Sequence, residues 1–325
     1  MKIALKSVFA AGMIVFSVTA FAQQYPVKPI RWIVAFAPGG PQDIRSRAIA
    51  IELANALKGN VIVENKAGAG GNIGMLEIAK AAPDGYTVGL GYVGTHSMNP
   101  HLLKASTFDP LKDHVFVAPI TTYSSLLLVH PSIPVKTAGD LIAYAKANPG
   151  QVSFGTGGVG STAHLAGEAL RTIAGTPMLH VPFQGAAPVV TALMSGQITF
   201  TFNSMSTSFG PIKAGKLRAL AITSPKRSSF APDIPTMTES GVPGYTDLVS
   251  DQWTALFGPA ALTKPIADRL RAGMSEAMRS TAVTERLRAL AEDSWDMTPE
   301  KFPAFLQADI AKWGKIIKIA GVQPE

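Results

Sequence analysis

The feature that most constrains the fold of this chain is a regular alternation of short apolar runs with helical patterns. Residues 30–36, 61–63 and 87–93 predict buried strands, and segments with helical patterns follow them. The alternation recurs between residues 124 and 223, and the chain is predicted to be largely helical from residue 265 onward. Such alternation is typical of an α/β architecture with mostly parallel sheets. A length of 325 residues with 47% hydrophobic and 16% charged residues allows two lobes and excludes a disordered chain.

Three glycine-rich turns each lie between a predicted strand and the helix that follows it. They cover residues 36–43, 64–72 and 155–162. Glycine lets the backbone approach a ligand, and the helix N-terminus adds a partial positive charge beside the exposed N–H groups. Each turn is therefore a candidate cradle for a carboxylate or a phosphate. Because ligands of open α/β sheets bind at the carboxyl ends of the strands, the three turns predict one shared ligand site.

The third turn also matches the dinucleotide-binding pattern, through Gly155, Gly157 and Gly160. A site of that type needs an acidic residue at the end of the next strand to hold the ribose. The next predicted strand covers residues 179–183 and is followed by Gln184 and a glycine, without an acid. We therefore expect no nucleotide cofactor, and the sequence indicates no cofactor of another kind.

Other chemistries find little support in the sequence. The absence of Cys and of His pairs at metal-binding spacing argues against a metal site, and no basic run with interleaved aromatics indicates nucleic acid binding. No nucleophile-elbow motif occurs. Ser161 and His164 could share a helix face, so an exported serine hydrolase is an alternative function. The simpler interpretation is that Ser161 caps the helix or donates to a ligand and that His164 belongs to the first turn.

The N-terminus predicts export from the cytoplasm. Two lysines precede an apolar stretch at residues 7–19, and a small-x-small signal-peptidase site ends at Ala22. We therefore expect a signal peptide at residues 1–22 and a mature periplasmic protein that begins at Gln23. The apolar stretch is shorter than the roughly 20 residues of a membrane anchor. Removing the two lysines lowers the formal charge from +7 to +5, which still favours anionic ligands.

Further motifs occur along the chain in an order that resembles one known family. They are Tyr25-Pro26, Lys28-Pro29-Ile30, residues 36–43, Glu64-Asn65-Lys66, residues 68–71, residues 83–87, Asn99-Pro100, residues 157–164, residues 181–185, residues 214–218 and Pro235-Thr236. Over nearly all of its mature length the chain resembles the substrate-binding proteins of tripartite tricarboxylate transporters, the Bug family of periplasmic solute receptors. The resemblance implies a type II periplasmic-binding-protein fold, in which two α/β lobes close over a ligand. The expected lobes are residues 23–124 with 226–325, and residues 125–225.

The resemblance also implies a function. The expected protein is a monomeric receptor, not an enzyme, that binds no cofactor. It would capture a small carboxylate, which could be a dicarboxylate, a carboxylic amino acid or an aromatic acid. It would deliver this ligand to membrane subunits of a tripartite tricarboxylate-type transporter. A ligand-binding sensory module for a signalling partner is a second alternative.

The resemblance finally implies which residues form the site. The first two turns would hold a carboxylate, the third turn would supply hydroxyl donors, and later side chains would lie near the rest of the ligand. The expected ligand-binding residues are Ala37, Pro38, Gly39, Gly40, Gln42, Asp43, Gly68, Ala69, Gly70, Gly71, Asn72, Thr156, Gly157, Gly158, Ser161, Thr162, His164, Phe183, Gln184, Asn203 and Asp251.

The chain departs from the usual pattern of the family at two places. Phe183-Gln184 replaces a common Tyr-Lys, which removes a hydroxyl and a cation and disfavours a tricarboxylate ligand. Gln42 replaces a common Thr of the first turn. Near this turn, Arg45 and Arg47 are expected on the solvated face of the first helix, and the neighbouring Asp43 is expected to cap that helix.

Overall fold

The computed structural model describes residues 25–104, 108–183, 185–249 and 251–324, which form two β-sheets with helices packed around both. The predicted signal peptide at residues 1–22 lies outside the described residues, as does Gln184. Within the described part of the chain, no helix is both long enough and apolar enough to cross a membrane.

From β1 to β3 and from β6 to β8 the elements follow one another as the sequence pattern predicts, strand before helix. The strands are β1 (Ile30–Val34), β2 (Val61–Asn65), β3 (Thr87–Tyr92), β4 (His114–Tyr123), β5 (Ser125–Val129), β6 (Ser153–Thr156), β7 (Leu179–Pro182), β8 (Phe200–Ser204), β9 (Arg218–Ile222), β10 (Gln252–Pro259) and β11 (Asp293–Ser294). The helices are α1 (Pro41–Leu57), α2 (Asn72–Ala79), α3 (Asn99–Leu102), α4 (Ala138–Ala147), α5 (Thr162–Ala174), α6 (Ala186–Met194), α7 (Met205–Lys213), α8 (Lys264–Met278), α9 (Thr281–Leu290) and α10 (Phe302–Ala320). Short 3₁₀ turns cover Ala69–Gly71 and Tyr245–Asp247, and a π-helical turn covers Gly94–Met98.

Each sheet combines a parallel part with antiparallel strands. The first sheet has the order β11-β4-β10-β3-β1-β2, in which β1 pairs in parallel with β2 and β3 while β10 runs antiparallel to β3 and β4. The second sheet has the order β7-β6-β8-β5-β9, with β6 parallel to its neighbours and β5 antiparallel to its own. The predicted α/β architecture is confirmed, and the expectation of mostly parallel sheets is met only in the β1–β3 and β6–β8 parts.

The antiparallel pairings arise where the chain passes between the sheets. A single residue, Ser124, separates β4 of the first sheet from β5 of the second, and the chain returns from β9 to β10. The chain leaves the first sheet along β4 and returns to it along the adjacent β10, so these two strands pair in opposite directions. The apolar pattern does not predict β4, because Pro119 and the Thr pair at 121–122 interrupt its apolar run.

The helices on the first sheet share one buried apolar layer. Ile49 and Leu53 of α1 and Leu270 and Met274 of α8 belong to the same fully buried cluster as Trp32 of β1. Burial of a side chain of this size contributes about 1.5–3 kcal/mol. This layer fixes α1, and with it the end of the first glycine-rich turn, against the sheet.

The last helix, α10, packs against both halves of the molecule. Trp313 of α10 belongs to the same buried cluster as Leu165 of α5 and Trp253 of β10. Asp309 of α10 is 3% exposed and accepts hydrogen bonds from Ser97 Oγ at 2.6 Å and from Trp253 Nε1 at 2.9 Å. The end of the chain is therefore anchored where the two sheets approach each other.

Candidate functional site

Two adjoining cavities lie between the two sheets. One has a volume of about 450 Å³ and the other about 240 Å³, and we call them the large cavity and the small cavity. They share a wall formed by Gln42, Tyr123, Gly157, Ser161, Thr162 and Gln252. The wall thus brings together parts of the first and third glycine-rich turns with the strands that connect the sheets.

The small cavity is lined by the first residues of four helices and by the amide of Asn203. The helix residues are Pro41 and Gln42 of α1, Thr162 and Ala163 of α5, Ala186 of α6, and Met205 and Ser206 of α7. The first N–H groups of a helix have no partner within the helix, and this end carries a partial positive charge. In α1, α6 and α7 no side chain caps these groups. The Nδ2 of Asn203 is buried without a hydrogen-bond partner, so the cavity presents several unused donors suited to an anion.

Charged side chains contribute little to either cavity. Among the described residues that line them there is no Lys or Arg, and the acidic Glu292 forms a buried ion pair with Arg45. Arg45 is 1% exposed and lies 5.9 Å from the ring centre of Tyr123. The expectation that Arg45 lies on the solvated face of α1 is wrong, because its side chain turns inward to Glu292. Arg47 is half exposed, as expected, and pairs with Asp43.

Asp43 supports the first turn from inside. Its buried carboxylate accepts hydrogen bonds from Gly39 N and Asn65 Nδ2, both at 2.9 Å, and pairs with Arg47 at 2.9 Å. Burial alone would raise the pKa of Asp43, but the hydrogen bonds from these three partners hold it below the usual value. The residue that caps α1 is Gly40 and not Asp43, because Asp43 is the third residue of the helix.

The second turn reaches the large cavity through Gly70. The carbonyl of Gly70 accepts hydrogen bonds from Tyr92 OH at 3.1 Å and from Asn99 Nδ2 at 3.0 Å. The Asn99 amide also donates to the buried Asn72 Oδ1 at 2.7 Å. Gly71 has a φ of +94°, and a Cβ there would lie 2.7 Å from a methyl group of the π-helical turn. This position therefore requires glycine, because a larger residue would clash with the π-helical turn.

The third turn is held by two stacked histidines. Ser161 Oγ accepts a hydrogen bond from His164 N at 3.2 Å, which confirms the prediction that Ser161 caps the helix. The Nδ1 of His164 accepts from Gly160 N at 3.1 Å, and its ring stacks on His180 with centroids 3.9 Å apart. The Nε2 of His180 lies 2.7 Å from Thr156 Oγ1. Burial, and then the neighbouring His164, lower the pKa of His180 to about 4. His164 positions the turn and does not activate Ser161 as a nucleophile.

The structure divides the expected site residues into two groups. Those that line a cavity are Gln42, Gly70, Gly157, Gly158, Ser161, Thr162 and Asn203. Those that lie in the turns or in the adjoining strands and helices without lining either cavity are Ala37, Pro38, Gly39, Gly40, Asp43, Gly68, Ala69, Gly71, Asn72, Thr156, His164 and Phe183. Gln184 lies outside the described residues.

Asp251 lies in a third pocket, of about 310 Å³, beside the point where the chain crosses between the sheets. Its carboxylate accepts a hydrogen bond from Ser124 Oγ at 2.6 Å, and burial raises its pKa. No group of three or more His, Asp or Glu side chains in the described part of the chain is arranged to hold a metal ion.

The chain matches a known receptor family over most of its length. The sequence model described as the tripartite tricarboxylate transporter family receptor matches residues 45–322. The chain belongs to this receptor family. Members of the family are substrate-binding receptors and not enzymes, as the sequence analysis predicts.

Individual relatives of the receptor agree with this assignment. Protein BugT of Bordetella pertussis is 33% identical over 303 residues, which is 93% of this chain and 92% of BugT. The structure of the periplasmic binding protein BugD is 30% identical with a TM-score of 0.76, covering 93% of this chain and 100% of BugD. The chain is therefore a periplasmic solute-binding protein of this receptor family, and the predicted two-lobed fold is confirmed.

Two further structures of similar proteins contain ligands. Rpa4515 of R. palustris with adipate is 31% identical with a TM-score of 0.79. The match covers 93% of this chain and 100% of the Rpa4515 chain. MatC of Rhodopseudomonas palustris with bound malate is 30% identical with a TM-score of 0.75. The match covers 90% of this chain and 100% of the MatC chain.

Tyr123 and Gln252 are two central residues of this receptor's shared wall that were not predicted from the sequence. They are directly paired across β4 and β10. Gln252 Oε1 accepts from Thr162 Oγ1 and its Nε2 donates to Ser125 Oγ, both at 3.2 Å. Burial raises the pKa of Tyr123 to about 12. One sequence signal could have identified Gln252. This polar residue directly precedes the mainly apolar run at 253–257, where the chain returns to the first sheet.

Proposed function

We propose that this receptor captures a small carboxylate between its two lobes and delivers it to the membrane subunits of a tripartite tricarboxylate-type transporter. The observation that supports this most directly is the small cavity, where four helix N-termini and the unpartnered amide of Asn203 meet. Backbone and amide donors of this kind form charge-assisted hydrogen bonds with a carboxylate. The adipate and malate in the two related structures are carboxylates as well.

The carboxylate would be held without a cationic side chain. A hydrogen bond to a charged group contributes roughly 1.5–3 kcal/mol, and a helix N-terminus adds about 0.3–1 kcal/mol. Several such contacts, less the cost of ordering the ligand, account for a dissociation constant of micromolar order, about −8 kcal/mol. Arg45 does not take part, because Glu292 already neutralises its charge.

The two lobes that we propose are residues 23–124 with 226–325, and residues 125–225. The small cavity is then lined by α1 from one lobe and by α5, α6 and α7 from the other lobe. The hydrogen bond between Thr162 and Gln252 joins the lobes in the wall beside it. A bound carboxylate would contact both lobes and stabilise their approach.

The proposed working form is a periplasmic monomer that begins at Gln23 after cleavage behind Ala22. Mass spectrometry of the protein secreted to the periplasm tests the cleavage site, and light scattering on the mature protein tests the monomer. A mass that includes residues 1–22, or a dimer at micromolar concentration, would contradict the respective part of the proposal.

Thermal unfolding of the mature protein tests the ligand class. The protein is first unfolded and refolded to remove any ligand that co-purifies, and is then heated with succinate, glutamate, benzoate or the matched primary amides. A ligand at 100 times its dissociation constant stabilises by about 2.7 kcal/mol, which corresponds to several degrees. We expect a shift with at least one carboxylate and none with its amide. Equal shifts for acid and amide, or no shift in the whole panel, would contradict the proposal.

A charge substitution in the small cavity provides a matched control. Asn203→Asp places a carboxylate among the helix N-termini and is expected to abolish the ligand-induced shift. Asn60→Asp makes the same change at an exposed position outside both cavities and is expected to preserve it. Delivery is tested by uptake of the labelled ligand in cells that encode the transporter. Uptake that survives deletion of the receptor gene would contradict this role.

A further inference from the structure

The large cavity differs from the small cavity in the chemistry of its wall. Its apolar lining residues are mainly Phe36, Tyr92, Met98, Leu102, Leu103 and Val159. The rings of Phe36 and Tyr92 have centroids 4.7 Å apart and form an aromatic side. In another part of the wall the third turn meets the end of α3, since a Cβ at Gly160 would lie 3.3 Å from Leu102 Cδ1. The cavity is therefore closed mostly by carbon, with contributions from both halves of the chain.

The polar groups of the large cavity are largely used within the protein. The hydroxyl of Tyr92 and the amide of Asn99 both donate to the carbonyl of Gly70. The N–H of Gly160 donates to an imidazole nitrogen of the third turn. Both ends of the Gln252 amide have partners. A charged group that entered this space would lose water and find few free donors.

We propose, on the basis of the function proposed above, that the ligand is an amphipathic monocarboxylate. Its carboxylate occupies the small cavity and its uncharged apolar body, a short alkyl chain or an aromatic ring, occupies the large cavity. Burial of the apolar body is favourable in proportion to its area. A second carboxylate at that end is disfavoured, because the polar groups of the large cavity are largely paired within the protein, whereas the small cavity keeps unused donors.

Hexanoate and adipate form a matched pair for testing this assignment. They share a six-carbon chain and differ only in a terminal methyl group against a second carboxylate. We expect titration calorimetry on the mature protein at neutral pH to show that hexanoate binds at least tenfold more tightly than adipate. Hexanamide, which keeps the chain and lacks the charge, is expected to bind at least tenfold more weakly than hexanoate.

A lysine added to the wall of the large cavity should change this preference. Val159 lines the cavity and is 60% exposed, so Val159→Lys is expected to fold normally and to shift the affinity ratio at least fivefold toward adipate. Val27 is 62% exposed and lines neither cavity, so Val27→Lys adds the same charge elsewhere and should leave the ratio unchanged.

The outcomes separate this inference from the proposed function. Adipate that binds as tightly as hexanoate overturns the monocarboxylate assignment and leaves the carboxylate receptor intact. Hexanamide that binds as tightly as hexanoate overturns the carboxylate receptor itself. A ratio that shifts equally in Val159→Lys and Val27→Lys overturns the placement of the apolar body in the large cavity. If all three comparisons give the expected result, they support both the carboxylate receptor and the monocarboxylate assignment.

Discussion

Asp309 ties α10 to the π-helical turn at Gly94–Met98 and to β10. Its buried carboxylate accepts hydrogen bonds from Ser97 of the π-helical turn and from Trp253 of β10. Asp309→Ala removes the acceptor of both bonds and leaves a hydroxyl and an indole N–H buried without partners. Gly94 and Met98, at the ends of the π-helical turn, line the large cavity, so the change also reaches the site.

The size of the effect follows from two opposing contributions. Each buried donor that loses its acceptor costs about 1–3 kcal/mol. Removing a buried carboxylate relieves part of its desolvation cost, which offsets some of this loss. We therefore expect the free energy of unfolding to fall by about 2–4 kcal/mol. For a chain of this length that corresponds to a melting temperature lower by about 3–6 °C.

Denaturant unfolding and calorimetry of three proteins measure this effect. Asp309→Asn keeps an acceptor oxygen near both donors and is expected to lose about half as much stability as Asp309→Ala. The wild type should be the most stable protein and the Ala variant the least stable. A loss below about 1 kcal/mol in Asp309→Ala, or an Asn variant less stable than the Ala variant, would refute the role that we give to the two hydrogen bonds.

Three other perturbations have expected outcomes. Gly157→Ala should weaken carboxylate binding at least tenfold in calorimetry with little change in stability, because its Cβ would lie 3.1 Å from a backbone carbon of Gly185 beside α6; unchanged affinity would contradict this. Arg45→Met should lower the free energy of unfolding by about 3–5 kcal/mol, since it leaves Glu292 buried without its partner. Adding Glu292→Leu should recover most of the loss in the same denaturant assay. As the pH falls from about 6.5 to about 4, stability should decrease by about 1 kcal/mol, because the unfolded chain protonates His180 while the half-buried folded ring stays neutral. His180→Gln should flatten this part of the pH profile, and an unchanged profile would assign the slope to other groups.

The elements around the glycine-rich turns could be predicted because their signals are local. A strand, a turn that needs glycine and a helix start within about ten residues of one another, so Gly70 and Ser161 were placed correctly at turns between strands and helices. The cap at Ser161 follows from the same short-range chemistry. Asp43 shows the limit of such signals, since it supports its turn from the third helical position and does not cap the helix.

The rest of the site depends on residues that are distant in sequence. Tyr123 and Gln252 meet only because β4 and β10 pair, and no local pattern near either residue shows this pairing. Arg45 is buried because Glu292 lies opposite it, whereas helical periodicity alone assigns the charge to the surface. The apolar wall of the large cavity likewise combines Phe36, Leu102 and other residues of separate segments, so only the folded chain brings them together.

The position of β10 also determines the order in which an exported chain can complete its fold. All strands of the second sheet lie in one continuous stretch that ends at Ile222, so they can pair as soon as that stretch is available. β10 belongs between β3 and β4, and until Pro259 is available each of these strands keeps an unpaired edge of the kind that attracts other strands. The first sheet therefore finishes folding last. A chain that stops before β10 also lacks β11, so it leaves one edge of β3 and both edges of β4 open instead of forming a smaller working receptor.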